Sequence, residues 1–316
     1  MSARKLAFIL KSVIITSVVA AGGFGLSLLV PASRVNHLLA IQKPESDSNK
    51  AVKNNQVGGL GEASASALGV APASNLISAV PKSLQATTIY EAKLKPNEKV
   101  IALTFDDGPG PKNTAQVLEI LKQNHVKATF FMIGEMVQTF PQVAKQVVAD
   151  GHAVGNHTWH HWYRRMDAAT AASEINRTAD IIYKTTGAKT ALFRPPGGFL
   201  NNGLAAYAKN HQYAVMMWSE ESGDAERRSP QTPGLVKNVL KSAKPGAIVL
   251  MHDGGGNRAK TVKALPQIIS SLKAQGYRFV TVPELLEMQA QEQQVATAKV
   301  SPAVTKNEYP NSQLNN

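Results

Sequence analysis

The 316-residue sequence predicts an α/β domain whose parallel sheet is closed, or nearly closed, into a barrel. Short apolar runs recur at residues 100–105, 128–133, 152–156, 190–193, 213–218, 247–251 and 278–282. Most of the stretches between and after them have helical character: 114–123, 141–150, 168–185, 204–210, 232–242, 260–274 and 282–289. That is a βα repeat of about seven units. An open doubly wound sheet is the rival arrangement, but it would normally carry a glycine-rich phosphate turn after its first strand. Here that turn reads Asp106-Asp107-Gly108-Pro109-Gly110-Pro111, two acids and two prolines.

At 43% hydrophobic residues the chain has enough apolar material for one sizeable α/β domain with appendages. It contains no cysteine, which excludes a disulfide framework and a thiolate metal site, so any metal must be held by His, Asp or Glu. A formal net charge of +12 suits an anionic lipid surface or an anionic cell-wall polymer. The Lys and Arg residues are scattered rather than gathered on one reading helix, so nucleic acid is not an expected partner. The chain is expected to act as a monomer.

Arg4, Lys5 and Lys11 precede an uncharged, largely apolar run over 12–30, close to the roughly 20 residues that cross a bilayer. The run is long for a signal-peptide core of about 7–15 residues, although Val30-Pro31-Ala32 before Ser33 offers small residues where a peptidase could cut. An uncleaved membrane anchor is expected over 1–33, its basic tip in the cytoplasm and everything after Ser33 outside; cleavage would make the protein secreted. Residues 34–97, rich in Ser, Ala, Gly, Asn and Lys, read as a flexible spacer, within which 76–80 could form a short helix or dock as an edge element. Residues 98–290 would be the folded α/β domain, and the polar, Gln-rich 291–316 a disordered tail.

In a parallel barrel the residues that follow each strand converge on one rim. Ile101-Ala102-Leu103 leads into Thr104-Phe105-Asp106-Asp107, and Gly108-Pro109-Gly110-Pro111 ends that strand. Neighbouring strand residues point to opposite sides, so one acid could bind a metal while the other titrates. His157 and His161 come after the third run at i, i+4 spacing, which on a helical turn puts both imidazoles on one face, as two ligands of one metal require; His160 is the spare. A His-rich surface loop is the alternative, but with an acid pair on a neighbouring strand end a facial two-His-one-carboxylate set is the expected arrangement. Arg194 directly follows the next strand and could pair with one of the carboxylates. Pro195-Pro196 stiffens its loop, and Gly197-Gly198 lets the backbone approach a ligand closely. Trp218 ends the fifth run and the acids Glu220, Glu221 and Asp224 follow it, and the last long apolar strand ends in Leu250-Met251-His252.

The succession Thr104-Phe105-Asp106-Asp107-Gly108, His157-Thr158-Trp159-His160-His161, Arg194-Pro195-Pro196-Gly197-Gly198 and Leu250-Met251-His252 resembles the polysaccharide deacetylases of carbohydrate esterase family 4, over residues 100–287. The resemblance implies a distorted (β/α) barrel with about seven parallel strands. It also implies one divalent metal ion, zinc first with Co, Mn or Ni as alternatives, used to remove acetyl groups from N-acetylated glycans. By the same resemblance Asp107, His157 and His161 would bind the metal, Asp106 would be the general base and His252 the general acid. Arg194 would hold Asp106 in place and ionised, and Asp224 would orient His252. Leu250 would line the pocket for the acetyl methyl group, and Gly197 and Trp218 would contact substrate. Two positions depart from the family pattern. Gly197 stands where an aromatic is usual, keeping the backbone N–H but losing the side chain; Ala225 stands where a Trp would follow Asp224, removing a wall of the groove.

Together these features predict a membrane-anchored, outward-facing deacetylase of peptidoglycan N-acetylglucosamine, with chitin oligomers or an exported poly-N-acetylglucosamine fitting the same pocket. An O-acetyl esterase acting on a xylan-type polymer is one rival, and a catalytically silent, membrane-anchored glycan-binding module is another. A metal phosphodiesterase would want a second metal and more ligands than this set supplies.

Overall fold

The structure, a computed structural model, describes residues 77–300. The apolar run at 12–30, residues 34–76 of the expected spacer and the tail beyond 300 lie outside the described residues. Among the described residues no helix is long and apolar enough to cross a membrane.

In chain order the elements are β1 (Ile77–Ser78), β2 (Thr88–Ile89), β3 (Val100–Asp106), α1 (Asn113–Gln123), β4 (Thr129–Met132), α2 (Gly134–Thr139), α3 (Pro141–Ala149) and β5 (Ala153–Asn156). They continue as α4 (Ala168–Thr186), β6 (Lys189–Thr190), β7 (Leu192–Phe193), α5 (Leu204–Asn210), β8 (Ala214–Met216), β9 (Glu220–Glu221), α6 (Thr232–Ser242), β10 (Ala247–His252), α7 (Ala259–Ala274), β11 (Arg278–Phe279) and α8 (Val282–Val300). The main sheet runs β2-β8-β7-β5-β4-β3-β10-β9, with β11 beside the start of β3. Its strand pairs are parallel. The sheet curls into a half-barrel. Its two ends are drawn together where Ser219, between β8 and β9, donates its N–H to the Ile248 carbonyl (3.1 Å) and Ala92 donates to Gly246 (2.8 Å).

Strand alternation sorts side chains onto two faces. Ile101, Leu103 and Phe105 of β3 join Val249 and Met251 of β10 in the core beneath α1, α3, α6 and α7. Val100, Ala102, Phe131, Met216 and Ile248 form a second core on the opposite, concave face. Along that concave face β3 reads Val100, Ala102, Thr104, Asp106, and β10 reads Ile248, Leu250, His252. The inner wall is therefore apolar at its base and polar at its rim, and the register pairs His252 with Asp106 and Leu250 with Thr104.

Three departures from the sequence expectations have physical causes. Residues 77–97 are not spacer: β1 pairs with β6, β2 with β8, and Val80, Leu84, Ile89 and Ala92 are buried in the concave core. Their apolar residues are spaced too irregularly to read as a helix or a long strand. The expected tail boundary at 291 falls inside α8, which runs to Val300. Gln289 in it is buried and accepts the Lys93 N–H at 2.8 Å, so a polar residue there serves the fold. Finally, α2 and β9 were absent from the expected alternation because each is short.

Candidate active site

β3 carries Asp106 to the rim as its last residue, and Asp107 then leaves the strand with φ 74°, a left-handed conformation that Asp tolerates better than most residues. The turn, rather than strand alternation, sets the direction of the second acid. The two acids also share a neighbour: His157 Nε2 lies 3.6 Å from Asp106 Oδ2 and 3.5 Å from Asp107 Oδ1. His161 Nε2 lies 3.1 Å from the same Asp107 Oδ1.

The two imidazoles meet with ring centroids 4.8 Å apart, but the stretch from 157 to 161 is not helical. Thr158 (φ 68°) and His161 (φ 59°) are both left-handed. The Asn156 side chain accepts from Thr158 N (3.0 Å), the N-terminus of α2 donates from Gly134 N to Thr158 O (2.9 Å), and buried Glu174 of α4 accepts from Trp159 N and His160 N. A strapped loop thus does the work the spacing suggested for a helical turn. His160 points elsewhere, its Nδ1 2.6 Å from Glu174 Oε1.

His157 Nδ1 sits 2.7 Å from the Arg194 carbonyl. A carbonyl only accepts, so Nδ1 carries the proton and Nε2 presents a lone pair toward the acids. Asp107 Oδ1 is buried and has no hydrogen-bond partner. Lone pairs converging this closely on an orphaned carboxylate oxygen repel one another unless positive charge lies among them. One ligand atom each from Asp107, His157 and His161 lies within 4.8 Å of the others, and the three could hold a metal ion. Burial pushes the Asp107 carboxyl up, but the two imidazoles beside it outweigh that and hold the group well below the usual carboxylate range. A cation at the same place would act in the same direction.

Arg194, fully buried, spends its guanidinium on this rim. Nη1 donates to Asp106 Oδ1 (2.7 Å) and Thr104 Oγ1 (2.8 Å), Nε to Met216 O (3.1 Å) and Nη2 to Met217 O (3.1 Å). Its Cζ lies 4.0 Å from the Phe131 ring centroid and 5.8 Å from that of Trp218. Three of its five N–H donors are thereby fixed by neutral groups, and a fourth makes a charge-assisted bond to the Asp106 carboxylate.

Across the rim, His252 Nδ1 pairs with Asp224 Oδ1 at 2.8 Å. The other Asp224 oxygen accepts from His252 N (2.9 Å) and Thr261 Oγ1 (2.7 Å). Burial pushes the His252 imidazole down, but the hydrogen bond and charge of Asp224, and then Asp106 and Asp107, raise it above its ordinary value. Burial likewise pushes Asp224 up, and the bonds from His252 and Thr261 bring it down overall. With Nδ1 engaged, Nε2 is the nitrogen left to exchange a proton with a ligand.

Gly197 (φ 59°) lies in a tight turn over Pro196–Gly198, and a side chain there would run into the rings of Tyr163 and Phe199. All ten residues singled out from the sequence thus lie at or beside the C-terminal ends of the strands. Sequence reading missed Arg258. Its guanidinium donates to the carbonyls of Gly254 (2.6 Å), Asp224 (3.0 Å) and Gly255 (3.1 Å), and its Nη2 lies 3.8 Å from Asp107 Oδ2. It also missed Asp253, buried beneath Gly108, whose Oδ2 accepts from Thr114 Oγ1 at 2.5 Å. The Gly254-Gly255-Gly256 run before Arg258 was the available signal: Gly254 and Gly255 pack too closely against Asp107 for side chains.

The polysaccharide deacetylase profile matches residues 93–216. A peptidoglycan-N-acetylglucosamine deacetylase of Bacillus cereus is 44% identical over 210 residues, covering 65% of this chain and 96% of that protein. The peptidoglycan-N-acetylmuramic acid deacetylase PdaC of Bacillus subtilis is 39% identical over 202 residues, 64% of this chain and 42% of that one. Among solved structures, the Bc1960 peptidoglycan N-acetylglucosamine deacetylase superposes with a TM-score of 0.59 at 33% identity, covering 64% of this chain and 92% of that chain.

Proposed function

The chain belongs to the polysaccharide deacetylase family and is a hydrolase of that kind, and from this premise we propose that it removes N-acetyl groups from peptidoglycan, at N-acetylglucosamine, outside the cytoplasm. The observation that carries the reading is the orphaned Asp107 Oδ1, faced by the Nε2 atoms of both His157 and His161. These three residues would hold a divalent cation, zinc in the first instance. When bound, the cation supplies polarisation of the acetyl carbonyl and lowers the pKa of the attacking water.

Asp106 takes the proton from that water, and its bond from Arg194 holds it in place while it does so. The Gly197 backbone N–H contributes to stabilising charge on the carbonyl oxygen. His252, oriented by Asp224, gives its Nε2 proton to the departing amine, which an amide requires more than an ester does. Leu250 and Trp218 form the apolar side of the acetyl pocket. Thr104, through Arg194, ties Asp106 to the inner wall of the sheet.

Residues 12–30, uncharged and preceded by Arg4, Lys5 and Lys11, support an anchor that leaves the domain outside, with 34–76 as spacer. The net charge of +12 favours an anionic envelope polymer. The reading is tested by incubating the zinc-loaded chain with peptidoglycan and with acetyl-xylan and quantifying both acetate and new primary amines. Equal amounts of the two from peptidoglycan are expected. Acetate without amines would identify an O-acetyl esterase, and neither product, with zinc bound, a silent binding module.

A further inference from the structure

Among the described residues few large apolar side chains are exposed, and Trp162, Tyr163, Phe199 and Leu200 occur together on the two loops that carry His161 and Gly197. Exposed apolar groups gathered at the mouth of a polar site are characteristic of ligand grooves rather than of inert surface. Trp162 is already engaged, stacked on His160 at 4.2 Å and covered by Arg164 at 4.3 Å. The ring contacts of Tyr163 and Phe199 are edge to face instead. The two residues are 56% and 36% exposed, and their rings meet at 5.8 Å with their planes 75° apart. Tyr163 in turn lies edge to face on His161 at 5.1 Å. The two rings thus make an open corner that begins at the metal-site histidine and continues outward into solvent.

A pyranose ring has one face lined with C–H groups, and such a face packs on an aromatic ring while its hydroxyls stay in water. An open corner suits an extended chain of sugars better than an enclosed small molecule. Gly197 keeps the corner as it is, since any side chain there would displace both rings. We propose that Tyr163 and Phe199 stack a pyranose of the glycan next to the sugar being deacetylated, and so set a preference for longer chains. This rests on the deacetylase reading above.

The test uses the full-length, zinc-loaded chain with chitin disaccharide and pentasaccharide as probes. The wild type should favour the pentasaccharide. A Tyr163→Ala/Phe199→Ala double variant should raise KM for the pentasaccharide about tenfold at unchanged kcat, with the disaccharide and the zinc content unaffected. Tyr163→Phe alone should behave as wild type. Unchanged KM on the pentasaccharide would overturn the proposal, as would an equal loss of kcat on both probes, which would mean that the rings only support His161. If the wild type released no acetate from any N-acetylated glycan, the deacetylase reading itself would fail. Calorimetric binding of the pentasaccharide would then still decide the corner: weaker binding by the double variant supports it, and equal binding overturns it.

Discussion

Asp106 and Asp107 are chain neighbours with different supports: the first takes a charge-assisted bond from a buried guanidinium, and the second leaves one oxygen bare toward two imidazoles. The third acid of the rim, Asp224, shapes the pH response. In the proposed mechanism His252 acts in its protonated form, and its imidazole is raised chiefly by Asp224, so kcat should fall on the alkaline side at a pH above the ordinary imidazole value. Asp224→Asn removes the anion and should move that alkaline limb to lower pH by about 1–3 pH units, read from a kcat–pH profile. Asp253 has the opposite setting. Burial, with Asp106 and Asp107 nearby, pushes its carboxyl up to about 7 despite the Thr114 bond. A carboxyl raised in the folded chain contributes stability below its unfolded value, and that contribution is lost as pH rises through the folded value. The metal-free protein should therefore lose on the order of 3 kcal/mol between about pH 5 and pH 8, and Asp253→Asn should abolish that decline in denaturant melts.

At the scale of elements, the site depends on how loops are strapped to helices. Gly134 opens α2, donates to Thr158 O, and has no room for a side chain: an added Cβ would lie 2.6 Å from Trp159 Cε3 and 2.7 Å from Thr178 Oγ1. Gly134→Ala should cost about 1–3 kcal/mol in unfolding free energy and weaken zinc binding together, because the displaced Trp159 lies between the two histidines in sequence. Arg258 holds three carbonyls of the loop after β10 and of Asp224, so Arg258→Ala should lower kcat while leaving zinc content intact. These straps mark where sequence reading stopped. The long strands and helices were legible because their periodicity is undisturbed: α5 and α6 have the expected bounds, and β3 runs one residue further. The rim residues were legible because a parallel sheet delivers strand ends to one side. How the histidines converge was not, since it follows from left-handed Thr158 and His161 and from Glu174, which acts from a different helix. Arg258 had only the glycines before it as a signal, its own partners being backbone carbonyls that leave no pattern in side-chain type.

At the scale of the whole molecule, the concave face of the curled sheet is closed at its base by two segments from opposite ends of the domain. Val80, Leu84 and Ile89 come from before β3, and Val282, Leu285 and Leu286 from α8. Burying each such side chain stabilises by about 1.5–3 kcal/mol. A chain starting at Asn97 should therefore be strongly destabilised or insoluble relative to one starting at Ile77, as thermal melts would report. The apolar base and the polar rim then form one structure: the sheet's inner wall passes from Val100 and Ile248 to Asp106 and His252 within a few residues. In the proposed mechanism the adjacent acids on this wall divide the work, Asp107 holding the metal and Asp106 moving the proton. The most direct measurement is bound zinc and acetate release from peptidoglycan for Asp106→Asn. Zinc should stay at the wild-type level while acetate release falls about 10²–10⁴-fold; acetate released at the wild-type rate would mean that Asp106 is not the base.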